Sequence, residues 1–266
     1  MGQTPAEDSG LAPVTTDSVS RRLRDSGVAL VAGSWQGRNS VEPILHLFEF
    51  AYPDGALFLD RAGSLCKRLQ ERLPGLTLKT VERNQIDLTL PGEGLEAYAG
   101  VVRSSIQTIR PTRLDFAALA ADFLELTAEV LELKFLQEFR FRYVAGRECG
   151  SYEEANKVLL QLVHPETQAK MALIREPASW SALQGEYRMG NFFVVDRIAV
   201  MDLEPSRNSG DAPASPPGAV PHITAQIDVR GLAGIAIGDF DAKAFISSFC
   251  TKYTEELLAK LGINLS

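Results

Sequence analysis

The chain has 266 residues, 45% hydrophobic and 23% charged, a make-up that excludes collagen-like, coiled-coil and disordered chains and lets a sizeable core form without a disulfide or metal staple. Its formal net charge of -7 gives a field that repels phosphate backbones and anionic headgroups, so neither nucleic acid nor a membrane surface is an expected partner. The three cysteines, Cys66, Cys149 and Cys250, are odd in number and far apart, as reduced thiols are.

In chain order, residues 1–26 are rich in Ser, Thr, Pro, Asp and Gly and read as a flexible tail with neither the basic end nor the apolar core of a secretory signal. No apolar run is long enough to span a bilayer, and a cytoplasmic protein is expected. Residues 27–150 follow as a first α+β sub-domain. Its strand-like stretches are Val28 to Ser34, Ile44 to Tyr52, Leu76 to Leu90, Tyr98 to Arg110 and Leu136 to Val144, with helical periodicity over Asp60 to Leu73 and Asp115 to Leu133. A second sub-domain, 151–266, opens with a helix over Ser151 to Val163, where Ser151 and Glu154 form a capping box. Strands Phe192 to Leu203 and Ile223 to Leu232 flank a Pro-rich loop, 205–221, expected to be disordered because it holds no large apolar residue. A last helix, Asp241 to Leu261, stops at Gly262.

The linker Pro91-Gly92-Glu93-Gly94 is too short for a crossover helix, so the strands beside it must pair antiparallel. Phe139, Phe141 and Tyr143 alternate with Glu138, Arg140 and Arg142, the pattern of a sheet covered on one face only. The expected class is therefore α+β, a mainly antiparallel sheet with four main helices on one side.

The motifs that could carry chemistry are mostly outweighed by their contexts. Gly92 to Ala97 has the letters of a dinucleotide fingerprint, but it leads into a strand and its Glu93 and Glu96 would repel phosphate. Gly231, Gly234 and Gly238 have apolar residues between them and no Lys-Ser or Lys-Thr pair after them, so a bulged strand is favoured over a phosphate cradle. His46, His164 and His222 are too scattered for zinc, and neither metal nor cofactor is expected. Cys66 and Cys250 read as core fillers. Cys149 lies on a loop beside Arg147 and ahead of a helix, where a thiolate would be stabilised, and is the one candidate nucleophile, though no general base accompanies it in the sequence. Asp122, Glu125, Glu129 and Glu132 share one helix stripe and read as a solvated face or a partner surface. Arginines at 83, 103, 110, 113, 140, 142 and 197 fall on or beside strands; a wet mixed-charge face is favoured, with paired or anion-binding guanidiniums as the alternative.

The stretch Phe139 to Val144 resembles the central segment of a sporadically distributed, uncharacterised bacterial family whose recognisable strand reads roughly Leu-Arg-Tyr-Ile-Asn. That strand maps onto Phe141, Arg142, Tyr143, Val144 and Ala145, with Ala145 in place of the Asn, and the likeness spans about residues 40–262. It implies an accessory bacterial protein and brings no catalytic residue with it. The leading expectation is a non-enzymatic protein that binds a protein partner, a second copy of itself included, through the charged strands or the acidic stripe. The alternatives are a binder of small anions that uses Arg103, Arg140, Arg142 and Tyr143 between sheet and helices, and an enzyme with Cys149 as nucleophile.

Overall fold

In a computed structural model of the protein, residues 42–53, 55–73, 75–109, 115–161, 182–203, 220–231 and 234–253 are described. The N-terminal tail, the Val28 to Ser34 stretch, nearly all of the Pro-rich loop and the Gly262 stop lie outside them. The strands are β1 (Glu42–Ala51), β2 (Thr77–Glu82), β3 (Gln85–Leu90), β4 (Leu95–Gly100), β5 (Arg103–Thr108), β6 (Phe135–Leu136), β7 (Glu138–Glu148), β8 (Ala182–Met189), β9 (Phe192–Leu203), β10 (Val220–Gly231) and β11 (Ile235–Ala236). The helices are α1 (Ala56–Arg72), α2 (Phe116–Leu131), α3 (Tyr152–Gln161) and α4 (Ala242–Ser247), the last continued by a π-helical turn over Ser248–Tyr253.

Nine strands form one sheet in the order β2-β3-β4-β5-β1-β7-β10-β9-β8, with every described pairing antiparallel; β11 and β6 pair separately. The fold is α+β and mostly sheet, with the helices on one face. Two expected strands are each a hairpin. Leu76 to Leu90 turns at Arg83-Asn84, and the segment after Pro91 divides into β4 and β5 at Val101-Val102.

Among the described residues two stretches follow a similar element order, the first with a meander of four strands and the second with one of three. β1, α1, the meander β2 to β5 and α2 are matched by β7, α3, the meander β8 to β10 and α4. In each half the last meander strand returns to lie beside the first strand, β5 on β1 and β10 on β7. An aspartate caps the closing helix of each half: Asp115 Oδ1 accepts from Ala118 N at 3.1 Å and Asp241 Oδ1 from Ala244 N at 2.8 Å. The second of these stretches begins with β7, ahead of the expected division at residue 150, and β1 pairs with β7 so that both stretches share a single sheet.

Even-numbered residues of β1 and odd-numbered residues of β7 point toward the helices, so His46, Phe48 and Phe50 meet Tyr143, Phe141 and Phe139 in register. Phe139 stacks on Phe240 at 4.6 Å and meets the Phe245 ring edge-on at 5.1 Å, while Phe192 lies 5.9 Å away. These rings occupy the space between sheet and helices. β-strand alternation that places aromatics inside leaves the intervening charges on the opposite face.

Candidate functional site

The opposite face of the second half carries the charged residues in rows set by strand register. Glu49, Arg140, Arg230, Phe193 and Arg188 stand side by side on β1, β7, β10, β9 and β8. In the next row are Leu47, Arg142, Asp228, Val195 and Glu186, and in the one after it Val144, Gln226, Arg197 and Gln184. At the far end the face is closed, with Val144, Thr224 and Ala199 buried. Around Arg140 it is open enough to leave the side chains of Arg140, Arg142 and Arg230 25%, 30% and 47% exposed.

Asp228 is the centre of this patch, its side chain only 3% exposed. A carboxylate taken that far from water needs charged donors, and three arginines supply them. Arg140 donates from Nε at 2.9 Å to Oδ1 and from Nη2 at 2.5 Å to Oδ2. Arg142 donates from Nε at 3.1 Å and Nη2 at 2.7 Å to Oδ2, and Arg230 Nε lies 3.4 Å from Oδ1. Three positive charges thus face one negative charge. Each guanidinium has five donors in a rigid fork, and the Nη1 groups of all three have no partner among the described residues.

Arg103 lies apart from the cluster, on β5, where it bridges Glu49 at 3.4 Å and Glu138 at 3.5 Å. Glu49 is thereby drawn away from Arg140, its register neighbour. Tyr143 is on the other face altogether. It is buried with its ring 4.8 Å from that of His46, so it cannot meet a ligand alongside Arg140 and Arg142. This overturns the expectation of an anion held between sheet and helices: the arginines project from the side the helices leave uncovered, and aromatic packing occupies the other. His46 is further held by Phe116, stacked at 4.9 Å, and by Thr108 Oγ1, 3.1 Å from Nδ1. Burial pushes its pKa down to about 4, so it is a neutral core group.

The acidic stripe is largely spent within the protein. Asp122 takes a two-pronged bond from Arg72 at 3.2 and 2.8 Å, Glu129 pairs with Arg68 at 2.8 Å, and Glu132 with Arg61 at 2.7 Å. These pairs form a ladder along the seam of α1 and α2, and the Arg68 guanidinium holds the Glu129 carboxyl below its ordinary range. Glu125 alone of the four has no such pair among the described residues.

Cys149 is 1% exposed, with Arg147 Nη2 3.9 Å from its Sγ. The arginine that was to activate it is itself buried and turns to Glu154 at 3.2 Å. Ser151 Oγ accepts from Glu154 N at 3.1 Å, which is one half of the expected capping box, while the Glu154 carboxylate accepts from Gly150 N at 2.8 Å, one residue before the cap. A thiol with that little exposure is packed as a small apolar group, out of reach of a substrate. Gly231 packs against the Phe139 ring and Gly94 closes the β3–β4 turn in the left-handed conformation, so both glycine motifs serve the backbone.

Sequence reasoning missed Asp228, Arg230 and Arg188. Asp228 and Arg142 are far apart in the chain, and their meeting depends on the β7–β10 register, which no local pattern encodes. Among the described residues no group of three His, Cys, Asp or Glu side chains is placed to hold a metal ion, and no helix is long and apolar enough to cross a membrane. Neither a protein-family model nor a curated protein matches the chain.

Proposed function

We propose that the protein is a non-enzymatic, cytoplasmic bacterial accessory protein that binds another protein through the open face of β7, β10, β9 and β8. One observation carries this reading: an arginine cluster with more positive than negative charge stands half-exposed on a sheet face that no described helix covers. Sheet faces left bare in this way, with arginine and aromatic side chains together, have the composition enriched at protein interfaces. Phe193 lies between Arg230 and Arg188 in one row and supplies the apolar component. The burial of Cys149 speaks against nucleophilic catalysis there.

Site-specific photo-crosslinking in cells of the source organism tests it. A benzophenone amino acid replacing Arg188, exposed on the open face, is expected to give discrete protein adducts; one replacing Leu59, which is 51% exposed on α1, is expected to give none of them. Equal adduct patterns at the two positions, or none at Arg188, would refute the reading.

A further inference from the structure

We infer that the Arg140, Arg142 and Arg230 cluster receives the carboxylates of an acidic segment of the partner, with Asp228 as the positioning residue. This rests on the reading above and names the chemistry of the partner. Asp228 engages Nε of each arginine and Nη2 of two of them, which fixes the guanidinium planes and turns the remaining donors away from the carboxylate. An Arg fork whose rotamer is held before binding loses less entropy when a second carboxylate arrives. The nearby acids offset much of this charge, since Glu49 and Glu138 share Arg103 and Glu186 accepts from the neutral Gln184 Nε2 at 2.8 Å, so the positive surplus of the face comes from two further arginines. Arg188 and Arg197, both exposed, add positive charge at the margin. The rows run across the strands, about 4.8 Å apart per strand, so Arg140, Arg230 and Arg188 form a rail with Phe193 in the gap. That spacing suits a segment with acidic residues on either side of an apolar one. In a protein of net charge -7 such a local patch favours an acidic partner through charge complementarity.

The test is binding of a fluorescent hexaglutamate peptide to the full chain at low salt, with hexalysine as control. Arg140→Gln/Arg230→Gln is expected to weaken hexaglutamate binding by roughly tenfold or more. Because that variant strips partners from buried Asp228, Arg188→Gln/Arg197→Gln is measured beside it; it leaves the cluster intact and is expected to weaken binding by roughly threefold. Asp228→Asn releases the forks while raising the local positive charge. It is expected to weaken hexaglutamate binding, with its urea midpoint showing that the chain still folds, whereas a carboxylate that only competed for the arginines would give tighter binding on removal. Lys67→Gln, on the exposed side of α1 where the lysine pairs with Glu71, is expected to change nothing. Unchanged affinity in both arginine variants overturns the proposal, as does unchanged or tighter binding in folded Asp228→Asn. Full competition by inorganic phosphate at matched ionic strength overturns the assignment to an acidic segment in favour of a small anion. Failure of the peptide test with crosslinks at Arg188 intact removes this inference alone; crosslinks absent with the peptide bound removes the partner reading.

Discussion

Replacing Gly231 with alanine probes the core geometry that sends the aromatics inward and the arginines outward. An alanine Cβ at this position would sit 2.7 Å from Phe139 Cζ and 2.8 Å from Cδ1, and closer still to Cε1, where carbon atoms at rest keep about 3.5–4.0 Å apart. The Phe139 ring has no room to retreat, since Phe240, Phe245 and Phe192 surround it at 4.6, 5.1 and 5.9 Å. Overpacking against so confined a ring costs about 3 kcal/mol. Truncating the ring by Phe139→Ala costs about 3–5 kcal/mol alone, and in that background the added methyl enters vacated space. Gly231→Ala in the Phe139→Ala protein is therefore expected to be near neutral, a coupling of about 2–3 kcal/mol between the two sites. Urea denaturation of the four proteins, with m-values compared, measures it. A Gly231→Ala penalty that is the same in both backgrounds would refute the reasoning, and with it the inward placement of Phe139.

Other consequences follow from single groups. With His46 pushed down to about 4 against an unfolded value of 6.5, the folded state resists protonation, so stability is full above about pH 6.5 and is lost as pH falls through about 4, by on the order of 3 kcal/mol. Denaturation midpoints across that window should fall less steeply in His46→Phe; identical slopes would contradict the buried neutral imidazole. Asp228→Ala leaves three guanidiniums without their shared carboxylate, and because these are partly solvated the cost is about 2–3 kcal/mol, below that of a fully buried pair, as read from the shift in urea midpoint. A change under about 0.5 kcal/mol would mean that the cluster is loosely held. The Cys149 thiol is expected to react with a disulfide reagent at least about a hundredfold more slowly than a free thiol, since opening must precede attack; mass spectrometry that finds it labelled at the free rate would restore it as a nucleophile.

The sequence made the sheet legible where alternation was strong. Phe139, Phe141 and Tyr143 against Glu138, Arg140 and Arg142 gave the inner and outer faces of β7, and the bounds of β9 coincide with the expected strand. Turns without glycine or proline were opaque. Val101-Val102 reads as continuing strand because β-branched residues favour it, yet the chain turns there. Tertiary bonds from Val101 N to Asn84 O at 3.2 Å and from Tyr52 N to Val102 O at 3.1 Å hold the turn. β8 was missed because its Gln184, Gly185, Glu186 and Arg188 supply too few apolar residues to mark an edge strand. At the candidate site, Arg140 and Arg142 were legible as neighbours on one face, while Asp228 and Arg230 join them only through strand pairing. The acidic stripe was read on its own helix; the arginines of α1 that engage it lie one helix away, at a spacing fixed by packing alone.

The claim that the open face is the working surface is met most directly by arginine footprinting with phenylglyoxal, in intact cells and on the purified protein. Arg188, Arg197 and Arg230 are expected to be labelled in the purified protein and protected in cells, while Arg83, exposed in the β2–β3 turn, is labelled equally in both. Equal labelling of all four in the two settings would show that no partner covers this face.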